Sequence, residues 1–202
     1  TGTTTLQVDP SKNITLDNVF NNFQGAVGIT RGNNVALVDA GAIVLGASTV
    51  SGTYGVTATS GGDITDTGVL AITGASTFTV AGGQSILLTE SSTFAAVEFA
   101  ASGVGGVLLD VEINDSNAFE LQELTVTQDL TVTAGDDITD SDTITVGRNL
   151  VATTDDNNGE INLGTLRVDG TIALTTNDAA NNNTGHATIV NDDGIDFALS
   201  TV

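Results

Sequence analysis

The amino-acid sequence predicts an all-β protein, folded as a parallel β-helix that forms one continuous domain over residues 1–202. Three observations support this prediction. Large residues alternate with small or polar ones, short clusters of turn-forming residues separate the alternating segments, and the chain contains about 2.7 copies of a module of about 75 residues. A right-handed solenoid is expected.

Alternation with a period of two identifies the strands. Segments such as Ile43-Val44-Leu45, Leu70-Ala71-Ile72 and Thr171-Ile172-Ala173-Leu174 are rich in β-branched residues, which favour strands. Clusters such as Gly61-Gly62-Asp63 and Gly135-Asp136-Asp137 contain the residues that tolerate turn conformations. No segment has the pattern of an amphipathic helix.

Apolar centres recur about every seven or eight residues in the first module, with one separation of thirteen between Ile14 and Val27. The centres are Ile14, Val27, Val35, Ile43, Val50, Val56, Ile64, Ile72 and Phe78, and the pattern restarts at Ile86. This spacing predicts three strands in each coil of about 20–25 residues, and about eight or nine coils in the chain. The stacked coils are expected to bury continuous apolar columns.

Internal repetition divides the chain into copies at approximately 1–73, 74–148 and 149–202. The segment Gly62-Asp63-Ile64-Thr65-Asp66 recurs in the second copy as Asp136-Asp137-Ile138-Thr139-Asp140. One constant step relates Leu37 to Ile113 and Ile189, Leu45 to Leu121 and Phe197, and Thr49-Val50 to Thr125-Val126 and Thr201-Val202. Tandem β-sandwich domains, each the length of one module, are the alternative architecture. The absence of Trp, the aromatic content of 4% and the lack of a linker between copies favour the solenoid.

Composition narrows the range of functions. Four basic residues against 25 acidic ones give a net charge of −21, which disfavours nucleic acid and anionic membrane surfaces as partners. The chain has no Cys and one histidine, His186. A thiol nucleophile and a metal centre with several histidine ligands are therefore excluded. No apolar run is long enough for a membrane helix. We expect a secreted, extracellular bacterial protein that is not an enzyme.

Paired acids are the candidate site residues. The calcium candidates are Asp63, Asp66, Asp137, Asp140, Asp155 and Asp156. Stacked coils would place equivalent carboxylates about 4.8 Å apart, and oxygen-rich turns supply the ligands that calcium prefers. However, neither the nonapeptide calcium repeat nor an EF-hand loop is present. Duplication of Asp63/Asp66 as Asp137/Asp140 favours turn capping over a catalytic pair. No cofactor is expected, and weak calcium binding is the alternative.

The repeats also resemble those of large bacterial surface proteins of the filamentous haemagglutinin type. The resemblance rests on Asn13–Asn18, Asn22–Val27, Gly32–Leu37, Ser48–Gly52 and Gly61–Gly68, and it extends over nearly the whole chain as a degenerate repeat consensus. It implies a right-handed β-helix shaft, exported and displayed on the cell surface or shed from it. Residues 98–123 depart from the consensus, which predicts an irregular coil or a lateral contact there.

Two functions follow as expectations. The first is a structural repeat segment or assembling subunit of a surface filament, matrix or adhesin shaft. The second is an adhesin module that recognises carbohydrate on one solenoid face, for which Tyr54 is the only Trp or Tyr available. The chain does not begin with Met and both termini fall inside a repeat, so we expect a processed form or a piece of a longer chain. End-to-end self-association into filaments, or continuation into further coils, is the expected partnership.

Overall fold

The computed structural model describes residues 2–154, 159–176, 185–192 and 194–202. These residues form strands and turns only, so none of them belongs to a helix that is long and apolar enough to cross a membrane. The chain divides into two compact units, Thr1–Leu108 and Leu109–Val202. Each unit is a parallel β-solenoid, which confirms the predicted fold class. The prediction of one continuous domain stays a prediction.

The first unit contains twelve strands among its described residues. They are β1 (Thr4–Gln7), β2 (Ile14–Leu16), β3 (Val27–Arg31), β4 (Val35–Asp39), β5 (Ile43–Leu45), β6 (Ser48–Val50), β7 (Tyr54–Ala58), β8 (Ile64–Asp66), β9 (Leu70–Ile72), β10 (Ala75–Ala81), β11 (Ile86–Ser92) and β12 (Ala96–Ser102). Three parallel sheets result, in the orders β1-β3-β5-β8-β11, β2-β4-β7-β10-β12 and β6-β9. Every neighbour in a sheet comes from an adjacent coil, because successive strands turn onto different faces.

The second unit has the same construction over its described residues. Its strands are β13 (Val111–Asp115), β14 (Phe119–Leu121), β15 (Leu124–Val126), β16 (Leu130–Ala134), β17 (Ile138–Asp140), β18 (Ile144–Val146), β19 (Leu150–Thr154), β20 (Ile161–Val168), β21 (Thr171–Thr176), β22 (Ala187–Asn191) and β23 (Asp196–Phe197). One face carries β13-β16-β19-β21-β23, and β20 is long enough to pair with both β17 and β18.

The strand register explains both the coil length and the core. Val35 pairs with Tyr54, and Tyr54 pairs with Ser76, so successive coils have similar but unequal lengths. Alternate residues point inward in a strand, and therefore in-register pairing places inward residues in columns along the unit. In the second unit, Leu130 and Leu150 occupy one such column, and both are buried.

All ten apolar centres predicted from the sequence lie on strands and are buried. Every strand-to-strand pairing described within the two units is parallel, with three strands to a regular coil. Both results confirm that the seven-to-eight-residue spacing reflects one strand and its turn.

The constant repeat step predicts burial in the second copy but does not predict the face of a strand in the structure. Leu45 and Leu121 are buried, whereas Phe197 is 56% exposed. Ile189 pairs with Leu163 of β20, whereas its repeat counterpart Ile113 lies in β13, which belongs to a different sheet of the same unit. Because coil length varies along the chain, residues separated by a fixed number of positions do not stay on the same face of the solenoid.

Irregular backbone follows β12, as the departure from the repeat consensus predicts. Gly103 and Gly105 have φ angles of +95° and +68°, which side chains with a Cβ rarely adopt. Val104 between them is fully exposed, while Leu108 returns to the core. The boundary between the two compact units lies directly after this turn.

Candidate functional site: the aspartates of the stacked turns

The predicted aspartates that the structure describes lie at the two ends of one strand in each unit. Asp63 immediately precedes β8 and Asp66 ends it, while Asp137 and Asp140 have the same positions at β17 in the second unit. The two pairs therefore belong to different units, and each is described within its own. Asp155 and Asp156 lie outside the described residues.

Asp63 and Asp137 accept equivalent hydrogen bonds from the next coil. Asp63 Oδ1 accepts the backbone N–H of Ser85 at 2.8 Å, and Asp137 Oδ1 accepts that of Glu160 at 2.8 Å. Ser85 and Glu160 each precede the strand that pairs with the one following the aspartate. These carboxylates thus satisfy an N–H group that starts the adjacent strand.

Asp66 binds strand β11 of the following coil more extensively. Its Oδ1 accepts the backbone N–H of Thr89 at 2.8 Å, and both carboxylate oxygens face the N–H of Glu90, at 3.4 and 3.3 Å. Burial raises the pKa of Asp66, the bonds from Thr89 and Glu90 oppose that shift, and the negative charge of Glu90 adds to it. Local N–H donors of the next coil therefore hold this carboxylate in place.

Asp140 repeats the arrangement in the second unit. Its Oδ1 accepts the N–H of Gly164 at 2.9 Å, and its Oδ2 accepts the N–H and hydroxyl of Thr165 at 2.8 and 2.7 Å. The same chemistry at Asp66 and Asp140 supports turn capping as the reason for the duplication.

Two further aspartates, which the sequence analysis did not single out, are more deeply buried than these. Asp39 ends β4 with no exposed surface; its Oδ2 accepts the N–H of Phe23 at 2.7 Å and its Oδ1 that of Gly41 at 2.8 Å. Asp115 ends β13, is also buried, and accepts the N–H of Asn117 at 3.0 Å. One signal was present in the sequence, because the step that relates Leu37 to Ile113 also relates these two aspartates.

A second set of side chains caps the residue before the first strand of each coil. In the first unit, Asn13 Oδ1 accepts the N–H of Asn34 at 3.2 Å, and Asn34 Oδ1 accepts that of Thr53 at 2.9 Å. In the second unit the series runs from Asp110 to Asp129, Asn149 and Thr171, at 3.1, 3.0 and 3.1 Å. Each side chain acts one coil ahead of its own backbone, so these ladders help fix the stacking register.

The arginines also join neighbouring coils. Arg31 Nε donates to the carbonyl of Val8 at 3.1 Å, and Arg148 lies 3.7 Å from Asp129. Arg167 lies 3.8 Å from the carboxylate of Asp192. The two exposed ion pairs contribute roughly 0–1 kcal/mol each. They stand at separate places on the surface and do not converge on the candidate aspartates that the structure describes.

No group of three or more His, Asp or Glu side chains with metal-binding geometry occurs among the described residues. The described calcium candidates already accept the backbone N–H groups given above. His186 is exposed, and its carbonyl accepts the N–H of Ile161 at 2.8 Å. The expected lack of a cofactor, with weak calcium binding as its alternative, and the lack of enzymatic activity all stay predictions.

Chelation supplies a direct test of calcium. At low ionic strength, a chelator is expected to lower the melting temperature only slightly, and added sodium chloride should restore it. The reason is that general screening relieves the repulsion of a chain with a net charge of −21. A large loss that micromolar calcium reverses and sodium does not would instead establish a specific site.

Tyr54 lies in the core of the first unit, not on a solenoid face. Its ring contacts Phe78 edge to face at a centroid distance of 6.0 Å, and Phe78 also contacts Phe94 and Phe99. Burial raises the pKa of Tyr54, and the nearby Ser48 hydroxyl opposes the shift only in part. Tyr54, the only Trp or Tyr available to the carbohydrate alternative, is therefore not accessible to a ligand on a solenoid face.

Comparison with known proteins gives one family. No curated protein and no solved structure shows significant similarity to this chain. The model of a repeat family matches residues 1–30, 32–101 and 109–155. The second break includes the irregular turn after β12. Since these segments cover more than half of the sequence, the chain belongs to the family of repeats of unknown function DUF5649.

Proposed function

We propose that the chain is a structural repeat segment of a bacterial extracellular surface filament, matrix or adhesin shaft. The observation that carries this proposal is the use of the acidic turns. Backbone N–H groups of a neighbouring coil donate to five aspartates: Asp39, Asp63, Asp66, Asp137 and Asp140. Asp39 also accepts one local N–H, that of Gly41. The acidic side chains that the sequence offers for chemistry thus stabilise the stacking instead.

A shaft needs a repeating unit that extends without a new core at each step. The coils meet this need, because each one buries its apolar face only against its neighbours. An excess of acidic residues favours the solubility of an extended surface. The bacterial source and the extracellular location are part of the proposal.

Immunogold electron microscopy of the source cells, with antibody raised against the whole chain, tests this function. We expect label along surface filaments or a fibrous outer layer. Label confined to the cytoplasm, or found on isolated globular particles, would contradict the proposal.

The same proposal includes end-to-end association or continuation into further coils. Val190, Ile195, Phe197 and Leu199 in the β22 and β23 region are all exposed. Four large exposed apolar side chains so close in the sequence indicate a contact surface. An added coil would bury them by pairing in parallel with the last strands.

Sedimentation velocity of the chain is expected to show oligomers whose size increases with protein concentration. The oligomers should be fewer at low salt, because the acidic chains then repel one another more strongly. The double variant Phe197→Ser, Leu199→Ser should remain monomeric, whereas the control Val69→Ser, at another exposed valine, should behave as the wild type. A strict monomer at every concentration would eliminate self-association and leave continuation within a longer chain.

A further inference from the structure

The turn between β2 and β3 is an insertion in the first unit. It comprises residues 17–26, whereas the much shorter turns at the same corner of the following coils comprise residues 40–42, 59–63 and 82–85. Insertions in repeat proteins map to loops on one side of the stack and often form the binding surface. The long turn is therefore the place in this unit where function beyond stacking is most expected.

Hydrogen bonds hold this turn in one conformation. The backbone N–H of Phe20 donates to Asn18 Oδ1 at 2.9 Å, and the N–H of Asn21 donates to the Asn18 carbonyl at 3.0 Å. The Asn21 side-chain amide donates to the carbonyls of Leu16 at 3.0 Å and Val38 at 3.2 Å, so it spans two coils. The loop tip is thus fixed from its own strand and from the next one.

The second half of the turn is fixed by the next coil as well. The N–H of Phe23 donates to the buried carboxylate of Asp39 at 2.7 Å, and the N–H of Ala40 donates to the Asn21 carbonyl at 2.7 Å. A loop that is already ordered loses little entropy when it binds a ligand. These anchors therefore favour recognition by the residues at the tip.

The turn displays an exposed aromatic ring and three exposed amide side chains. Phe20 is 86% exposed and Val19 is 52% exposed, although the core lies a few residues away in the chain. The side chains of Asn18, Asn22 and Gln24 lie in the same turn, and the Gln24 amide donates to Asn22 Oδ1. Ordered display of a large apolar ring to water is unfavourable by itself and indicates a contact surface.

We propose that residues 17–26 bind a neutral carbohydrate, with Phe20 as the stacking platform. A pyranose ring has an apolar C–H face that packs on an aromatic ring, and hydroxyl groups that pair with amides through both donors and acceptors. Asn18, Asn22 and Gln24 supply those amides without a charge. The net charge of −21 disfavours the acidic sugars, since no basic side chain in the turn would neutralise their carboxylates.

A protein partner fits the turn less well. Val19 and Phe20 together offer roughly 250 Å² of exposed surface, whereas a stable protein interface buries about 800 Å² of total surface, polar and apolar, on each partner. A single sugar ring covers an area close to that of one aromatic side chain. The size of the patch therefore favours a glycan over a protein.

This inference goes beyond the structural role proposed above and does not depend on it. A shaft without glycan binding, or a glycan-binding repeat that forms no filament, would each disprove one proposal and leave the other. Tyr54 cannot supply the ring, since it is buried. Phe20 would supply the exposed aromatic ring that a Trp or Tyr usually supplies to a carbohydrate site.

An array of immobilised neutral and acidic oligosaccharides tests the inference with the whole chain. We expect the wild type to bind one or more neutral glycans, Phe20→Ala to lose about tenfold or more in affinity, and Phe20→Trp to retain binding. Val104→Ala, at a fully exposed valine in a different turn, is the matched control and should bind as the wild type.

Phe20 is exposed, so its variants should keep the wild-type melting temperature, and a thermal scan of each variant verifies this. Three results overturn the inference: the wild type binds no neutral glycan, it binds acidic glycans only, or Phe20→Ala binds as well as the wild type.

Discussion

Replacing Ile138 with Asp is expected to lower the free energy of unfolding by about 4 kcal/mol, because an unpaired charge would enter an apolar column. Ile138 has no exposed surface and pairs with Phe119 on one side and Ile161 on the other. The change removes apolar contacts in three consecutive coils at once. Urea unfolding at neutral pH measures the loss.

The repeat supplies a second copy of the same experiment. Ile64 is the repeat counterpart of Ile138 in the first unit, is equally buried, and pairs with Ile43 and Ile86. Ile64→Asp should therefore cause a loss of similar size. Thr139→Asp is the control: Thr139 is adjacent to Ile138 but points outward, so its loss should stay below about 1 kcal/mol. Unchanged unfolding in both isoleucine variants would mean that the columns do not carry the stability.

The sequence predicts the columns because packing determines them. A coil buries only the inward residues of its strands, so Ile, Val and Leu recur with the period of a strand and a turn, as at Ile43, Ile64 and Ile86. Duplication of Asp63 as Asp137 could be interpreted in the same way. Both carboxylates cap a backbone N–H of the next coil, and their function is local enough to leave a repeated sequence signal.

Two features were harder to predict, for different physical reasons. The repeat relates Asp39 to Asp115, but nothing in the sequence alone shows that a folded turn supplies N–H groups to a buried carboxylate. The exposure of Phe20 was hidden because an apolar residue normally predicts burial. Its only sequence signal is the wide separation between Ile14 and Val27, which marks the inserted turn.

The solenoid face on which the last strands lie also could not be predicted from the sequence. Repeats specify which residues face inward, but each coil adds its own number of turn residues before the next strand begins. Ile189 and Phe197 keep the constant repeat step in sequence and lose the corresponding position in the fold. Alignment of repeats therefore becomes less accurate as turn lengths accumulate.

Replacement of Asp39 with Ala is expected to lower the free energy of unfolding by about 3 kcal/mol, because two partly buried N–H groups lose a charged, buried acceptor. These are the N–H groups of Phe23 and Gly41, at 2.7 and 2.8 Å from the carboxylate. Asp39→Asn keeps one acceptor oxygen and should lose less. Asp63→Ala, which frees a single N–H in a half-exposed turn, should lose about 1 kcal/mol.

The order of these three variants distinguishes two physical accounts of the buried carboxylate. If the hydrogen bonds outweigh desolvation, Asp39→Ala is the least stable, and hydrogen exchange at the Phe23 amide accelerates because its acceptor is gone. If desolvation dominates, Asp39→Asn is as stable as the wild type or more stable, since it keeps an acceptor without the charge. We expect the first result, because Asp39 joins the inserted turn to the next coil, and solvent within the turn is a poor substitute for a carboxylate that no water reaches.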